Sequence, residues 1–158
     1  MRITAIKVDE LKPINGGESN IDPTTPSGAL IEFYRAYNNH DLALMEKNWL
    51  AGSDSSMNNP LGGIRHGWPE IRELYARIFA SPASVRVEFY DYRIYQCEMA
   101  FLAVGRERGL SHSPKTTLAL QSRTSRFFVL ADGRWRQFHH HGSIDDPKLL
   151  GLYQAAVM

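Results

Sequence analysis

The chain has 158 residues, the length of one domain. Its 43% hydrophobic and 22% charged residues are those of a globular protein, and 18 Lys and Arg against 17 Asp and Glu leave a formal net charge of +1. That balance excludes a whole-chain attraction to nucleic acid or an acidic membrane, and the single Cys97 excludes an intramolecular disulfide or a thiolate zinc site.

Asp9, Glu10 and Lys12 interrupt the N-terminus, so no signal peptide is expected. No apolar run approaches the ~20 residues that cross a bilayer, and a cytoplasmic protein without a membrane partner is expected. Residues 1–25 read as an arm and linker, with a β-prone stretch at Ile3 to Val8 and a Gly-, Pro- and Asn-rich segment from Asn15. A first helix follows Thr25-Pro26, with Leu30, Phe33, Tyr34 and Tyr37 on one stripe. Asp41 can cap a second helix carrying Leu42, Met45 and Trp49. Gly52 to Ser56 is polar and turn-like, Met57 leads into Asn58 to Gly63, which cannot be regular helix, and a third helix from about Pro69 presents Ile71, Leu74, Tyr75, Ile78 and Phe79 at helical spacing.

From Val85 the period changes to two. Val85, Val87 and Phe89 alternate with polar residues in a run that continues through Tyr95. Met99 to Arg106 is a second strand candidate, Gly109 to Pro114 a turn, and Thr116 to Leu130 a long strand that bends or bulges. Asp132-Gly133 marks a hairpin, Trp135 to Ser143 completes the meander, and Asp146-Pro147 opens a short helix over residues 146–158. Helices first and a meander last predict an α+β domain over 26–145, three N-terminal helices packing on the concave face of a curved antiparallel sheet. Such a cone has an opening suited to a ligand.

Three stretches in this order carry a resemblance: Phe33 to Asp41, Pro60 to Ile71, and Asp132-Gly133-Arg134-Trp135 running into His139-His140-His141-Gly142-Ser143. They resemble the SnoaL-like proteins of the nuclear-transport-factor-2-like (NTF2-like) superfamily, and the last is similar to the ending of the association domain of calcium/calmodulin-dependent kinases. The resemblance implies a cone-shaped α+β barrel and a homodimer through the outer face of the sheet. It implies no single reaction, because the superfamily includes isomerases, dehydratases, cyclases, small-ligand binders and oligomerisation modules.

Strand alternation groups Trp135, Gln137, His139, His141 and Ser143 on one face and sends His140 to the other. In the relatives that this ending resembles, the His-x-His face looks into the cone, which makes His139 and His141 candidates for a general base or an anion contact. The plainer alternative is a pair of half-buried, hydrogen-bonded strand histidines. Nothing in the spacing selects Glu88, Asp91 or His112 as a third metal ligand, so no metal and no cofactor are expected. Enzymatic members that the chain resembles keep an acid inside the cone, yet Met57-Asn58-Asn59 beside Pro60 offers none; Asp91 points inward if the Val87-Phe89 face is the core. Arg123, at the centre of a polar strand stretch, shares a face with Gln121 and Ser125. Inward it makes a cationic pocket with the histidines, and outward it is exposed or faces a dimer partner.

The predicted ligand is a small, partly apolar molecule bearing an oxygen or carboxylate, contacted by Arg123, Gln137, Trp49 and Trp68. If the protein is an enzyme, cofactor-independent isomerisation, dehydration or cyclisation by proton transfer is expected, with His139 or His141 as base and Tyr34 or Asn58 as oxyanion donor. The alternative is a non-catalytic ligand-binding or oligomerisation module resembling the kinase association domain.

Overall fold

The computed structural model describes residues 1–6, 11–19 and 21–158; the expected arm at Ile3 to Val8 falls partly outside them. Its first strand, β1 (Thr4–Ile6), is followed by the three expected helices. Thr25 caps α1 (Pro26–Asn38), its hydroxyl accepting the Gly28 N–H at 3.1 Å. Asp41 caps α2 (Leu42–Asn48), accepting the Leu44 N–H at 2.9 Å. Two short strands, β2 (Ser56–Asn58) and β3 (Ile64–His66), flank the stretch from Asn59 to Gly63. With only three residues each, they are too short for periodicity to reveal. The third helix, α3 (Gly67–Ala80), buries Ile71, Leu74, Tyr75 and Ile78.

Four long strands follow: β4 (Ser84–Gln96), β5 (Ala100–His112), β6 (Thr117–Ala131) and β7 (Arg134–Ser143). The strand order is β1-β4-β5-β6-β7-β2-β3. The sheet is mixed, because β2 runs parallel to β7 while the other pairings are antiparallel. Residues 109–112, expected in a turn, belong to β5, which turns instead at Ser113 to Thr116. Gly109 suits this place because a Cβ there would collide with the Arg86 carbonyl and the Val87 backbone. Asp132 and Gly133, with φ of 53° and 74°, make the β6–β7 hairpin turn.

Two irregularities decide which side chains face the helices. In β4 the register shifts between Tyr90 and Arg93, and Asp91 takes a φ of 47°. Val85 and Phe89 are buried before the shift, Tyr92 and Ile94 after it. Asp91 is therefore exposed, correcting the inward placement that unbroken alternation gives it. In β7, Gln137 pairs with Phe128 and His139 with Phe127, leaving Phe138 as an extra residue. Trp135 and Gln137 are buried before this bulge, His140 and Gly142 after it.

The helices cover one face of this unclosed sheet, and Phe33, Tyr34, Trp49, Tyr75, Phe89, Phe101 and Phe128 fill the space between. Glu32 of α1 accepts two bonds from Arg134 at 2.6 and 2.7 Å, tying the helix layer to the start of β7. Asp146 caps the last helix, α4 (Pro147–Val157), which buries only Tyr153 and Val157. Among the described residues, no helix is long and apolar enough to cross a membrane.

Candidate functional site

A cavity of ≈50 Å³ lies between the helices and the sheet. Its polar wall comes from three adjacent strands: Glu107 of β5, Ser122 and Arg126 of β6, and His140 of β7. Tyr37 of α1, Tyr75 of α3 and Tyr153 of α4 face them across the opening.

Arg126 is the centre of the wall, only 2% exposed. Its Nε donates to the Tyr34 hydroxyl at 3.2 Å, one terminal nitrogen to Gln137 Oε1 at 2.8 Å and the other to Glu107 Oε1 at 2.9 Å. The guanidinium carbon lies 3.5 Å from the centre of the Phe33 ring. Burial works against the charge on Arg126, but Tyr34 and Glu107 overcome it and raise the pKa above its ordinary range. One N–H on each terminal nitrogen is left without a partner among the described residues.

Glu107 is held as tightly. Its Oε1 also accepts the Tyr34 hydroxyl at 2.6 Å, and its Oε2 accepts Ser122 Oγ at 3.1 Å. Burial pushes the Tyr34 hydroxyl well above its ordinary value, against the pull of Arg126 and with the reinforcement of Glu107. Tyr34 is thus neutral and fully engaged.

Two buried polar side chains lining the cavity each keep an atom without a completed hydrogen bond among the described residues. The Tyr75 hydroxyl, its pKa raised to about 12 chiefly by burial, completes no hydrogen bond among the described residues, although Arg126 and Trp49 approach it as donors and act against the rise. His140 bonds Thr124 Oγ1 through Nε2 at 2.9 Å, while its Nδ1 has no partner among the described residues. Either atom of the His140–Thr124 bond can donate; when Nε2 carries the hydrogen, Nδ1 offers a bare lone pair. Burial first, and Arg126 second, hold the imidazole pKa well below 6.5, so His140 is neutral at pH 7.

The positions of the expected site residues divide sharply. His140, not His139 and His141, faces the cavity, because the Phe138 bulge shifts the phase of β7 by one residue. His139 bonds Ser56 Oγ at 2.7 Å and His141 is exposed. Asn58 pairs with His141 in register, one residue out of phase with the buried Met57. Arg123 faces outward, its side chain 61% exposed and paired with Asp145 at 2.6 Å. Tyr34 and Gln137 both contact Arg126 and so shape the wall. Trp49 is fully buried between Trp68 and Tyr75. Trp68 turns its indole N–H to Glu46 at 3.0 Å.

The charged pair Glu107–Arg126 escaped sequence reasoning, although each carries a signal. Along β6 the buried phase is Leu118, Leu120, Thr124, Arg126 and Phe128, so Arg126 is a cation in an apolar row. Along β5, Glu107 alternates with Ala103, Gly105, Gly109 and Ser111, a row of small residues that holds one acid. Among the described residues no cluster of three His, Cys, Asp or Glu could hold a metal ion.

Solved structures of low sequence identity share this architecture. A candidate dehydratase of the NTF2-like family from Streptomyces avermitilis is 21% identical, with a TM-score of 0.67 over 73% of this chain and 89% of that one. An NTF2-like superfamily protein from Salmonella enterica is 17% identical, with a TM-score of 0.66 over 73% and 84%. A candidate calcium/calmodulin-dependent kinase II association domain from Thiobacillus denitrificans is 17% identical, with a TM-score of 0.63 over 81% and 100%. No curated protein matches the chain. The fold is that of the NTF2-like proteins, an α+β cone. A sequence model of the SnoaL-like domain matches residues 28–147, and the chain belongs to the SnoaL-like family.

Proposed function

We propose that the protein binds a small, partly apolar molecule through an oxygen atom placed against Arg126, and that His140 is the base of a cofactor-independent proton transfer such as isomerisation, dehydration or cyclisation. One observation carries this reading. A buried guanidinium with two unused N–H groups shares a cavity with an imidazole nitrogen and a tyrosine hydroxyl that complete no hydrogen bond among the described residues. Buried polar groups are ordinarily satisfied, so a cavity that leaves several open suits a molecule that fills them. Arg126 and Tyr75 would hold the oxygen and stabilise charge developing on it, while Nδ1 of His140 accepts a proton. Its neutral state at pH 7, in the tautomer with the hydrogen on Nε2, keeps that lone pair available.

The protein is further proposed to be a homodimer through the outer face of the sheet, where Val104 and Leu110 stand exposed and where a kinase association domain is among the structural neighbours. This surface also supports the second reading, an oligomerisation module that binds a ligand without turning it over.

Native mass spectrometry of the gently purified protein tests the cavity. A co-purified small molecule is expected on the wild type and on a His139→Ala/His141→Ala variant, and is expected to be lost from Arg126→Gln. Equal retention by all three would remove the cavity as the binding site. Turnover of the identified compound, lost in His140→Gln with binding preserved, separates the enzyme from the module.

A further inference from the structure

The charges of the cavity narrow the class of ligand further, on the reading that the cavity is the binding site. Arg126 and Glu107 are the charged side chains at its wall, in contact at 2.9 Å and with side chains only 2% and 12% exposed. His140 is neutral there, and Tyr34, Tyr37, Tyr75 and Tyr153 keep their protons. The wall therefore sums to zero charge before any ligand arrives. Glu107 cannot turn away freely, since Tyr34, Ser122 and Arg126 all donate to it.

We propose that the cavity takes a neutral carbonyl compound in preference to a carboxylate, because the guanidinium that would hold the oxygen enters the cavity already neutralised by Glu107. A carbonyl oxygen accepts from the unused Arg126 N–H groups and from the Tyr75 hydroxyl and adds no net charge. A carboxylate would make the same contacts but would bring a buried negative charge with no cation left to balance it. The free space, ≈50 Å³, suits one small functional group with a short apolar extension.

The test compares 2-butanone, propionamide and propionate, probes with the same number of heavy atoms, at pH 8 by ¹⁵N chemical-shift titration of the whole protein. The neutral probes are expected to perturb the amides around Arg126 and to bind at least about tenfold more tightly than propionate, the scale set by burying an uncompensated charge. Glu107→Gln removes the neutralising charge, and the order is expected to reverse in favour of propionate. Propionate binding to the wild-type cavity as tightly as propionamide would overturn the inference while leaving the cavity as a binding site. Absence of any perturbation around Arg126 with all three probes would overturn both that site and the ligand class resting on it. The wild-type comparison of propionamide with propionate decides the matter even where Glu107→Gln does not fold.

Discussion

Replacing Arg126 by Met tests whether the charged wall is an energetically coupled ion pair or an incidental one. The substitution removes a side chain that is 2% exposed and leaves the carboxylate of Glu107, 12% exposed, with Tyr34 and Ser122 as its remaining donors among the described residues. It also strands Gln137 Oε1, which is buried and loses the donor recorded at 2.8 Å. Breaking a buried pair by removing one partner costs about 3–5 kcal/mol, and the orphaned amide oxygen lies within that range because neighbouring effects do not add. Against a total stability of roughly 5–15 kcal/mol, and a urea dependence of roughly 1–3 kcal/mol per molar, the urea midpoint should fall by about 2 M. The double variant Arg126→Met/Glu107→Leu removes both charges and should recover to within about 2 kcal/mol of wild type. Equilibrium urea unfolding at pH 7 reads all three proteins. A loss below about 1 kcal/mol for Arg126→Met, or a double variant that loses the sum of its singles, would refute the coupled pair.

Other substitutions address the remaining parts of the site. His140 resists protonation when folded but takes a proton near pH 6.5 when unfolded, so the unfolded state binds more protons and stability drops as pH falls below 6.5; urea midpoints at pH 7, 6 and 5 should decline less in His140→Gln than in wild type. His139→Ala and His141→Ala, on the outer side of β7, should each change stability by no more than about 0.5–1 kcal/mol and leave ligand binding intact. Asp91 adopts a φ of 47°, so Asp91→Val should destabilise β4 by about 1–2 kcal/mol while Asp91→Gly is tolerated, which thermal unfolding can compare. Tyr153→Ala removes one of two buried anchors of α4, and hydrogen exchange should quicken across α4 before it changes in β5 or β6.

The elements were legible wherever residue type repeats with a period. Helical stripes placed α1, α2 and α3 within about two residues, and the Asp132-Gly133 turn fixed the last hairpin. What alternation could not supply was phase beyond an irregularity. Neither Asp91 nor Phe138 differs in type from an ordinary strand residue, yet each adds a position that reverses the faces of everything after it. The histidine assignment inverted for that reason alone. Arg123 and Arg126 show the complementary failure: polar neighbours drew attention to Arg123, whereas the informative position was the arginine in step with Leu118, Leu120 and Phe128. Tyr34 and Gln137 were singled out as groups for the ligand, but both are occupied with orienting Arg126.

The bulge at Phe138 decides which of the three histidines after it lines the cavity. With the extra residue in place, His140 is the imidazole that reaches inward. Were the strand paired without the extra residue, His139 and His141 would share the face of Trp135 and Gln137, because neighbouring strand residues alternate faces. One inserted residue thus exchanges a solvated imidazole for a buried one, so backbone registration, and not residue type, decides which of three identical side chains lies within.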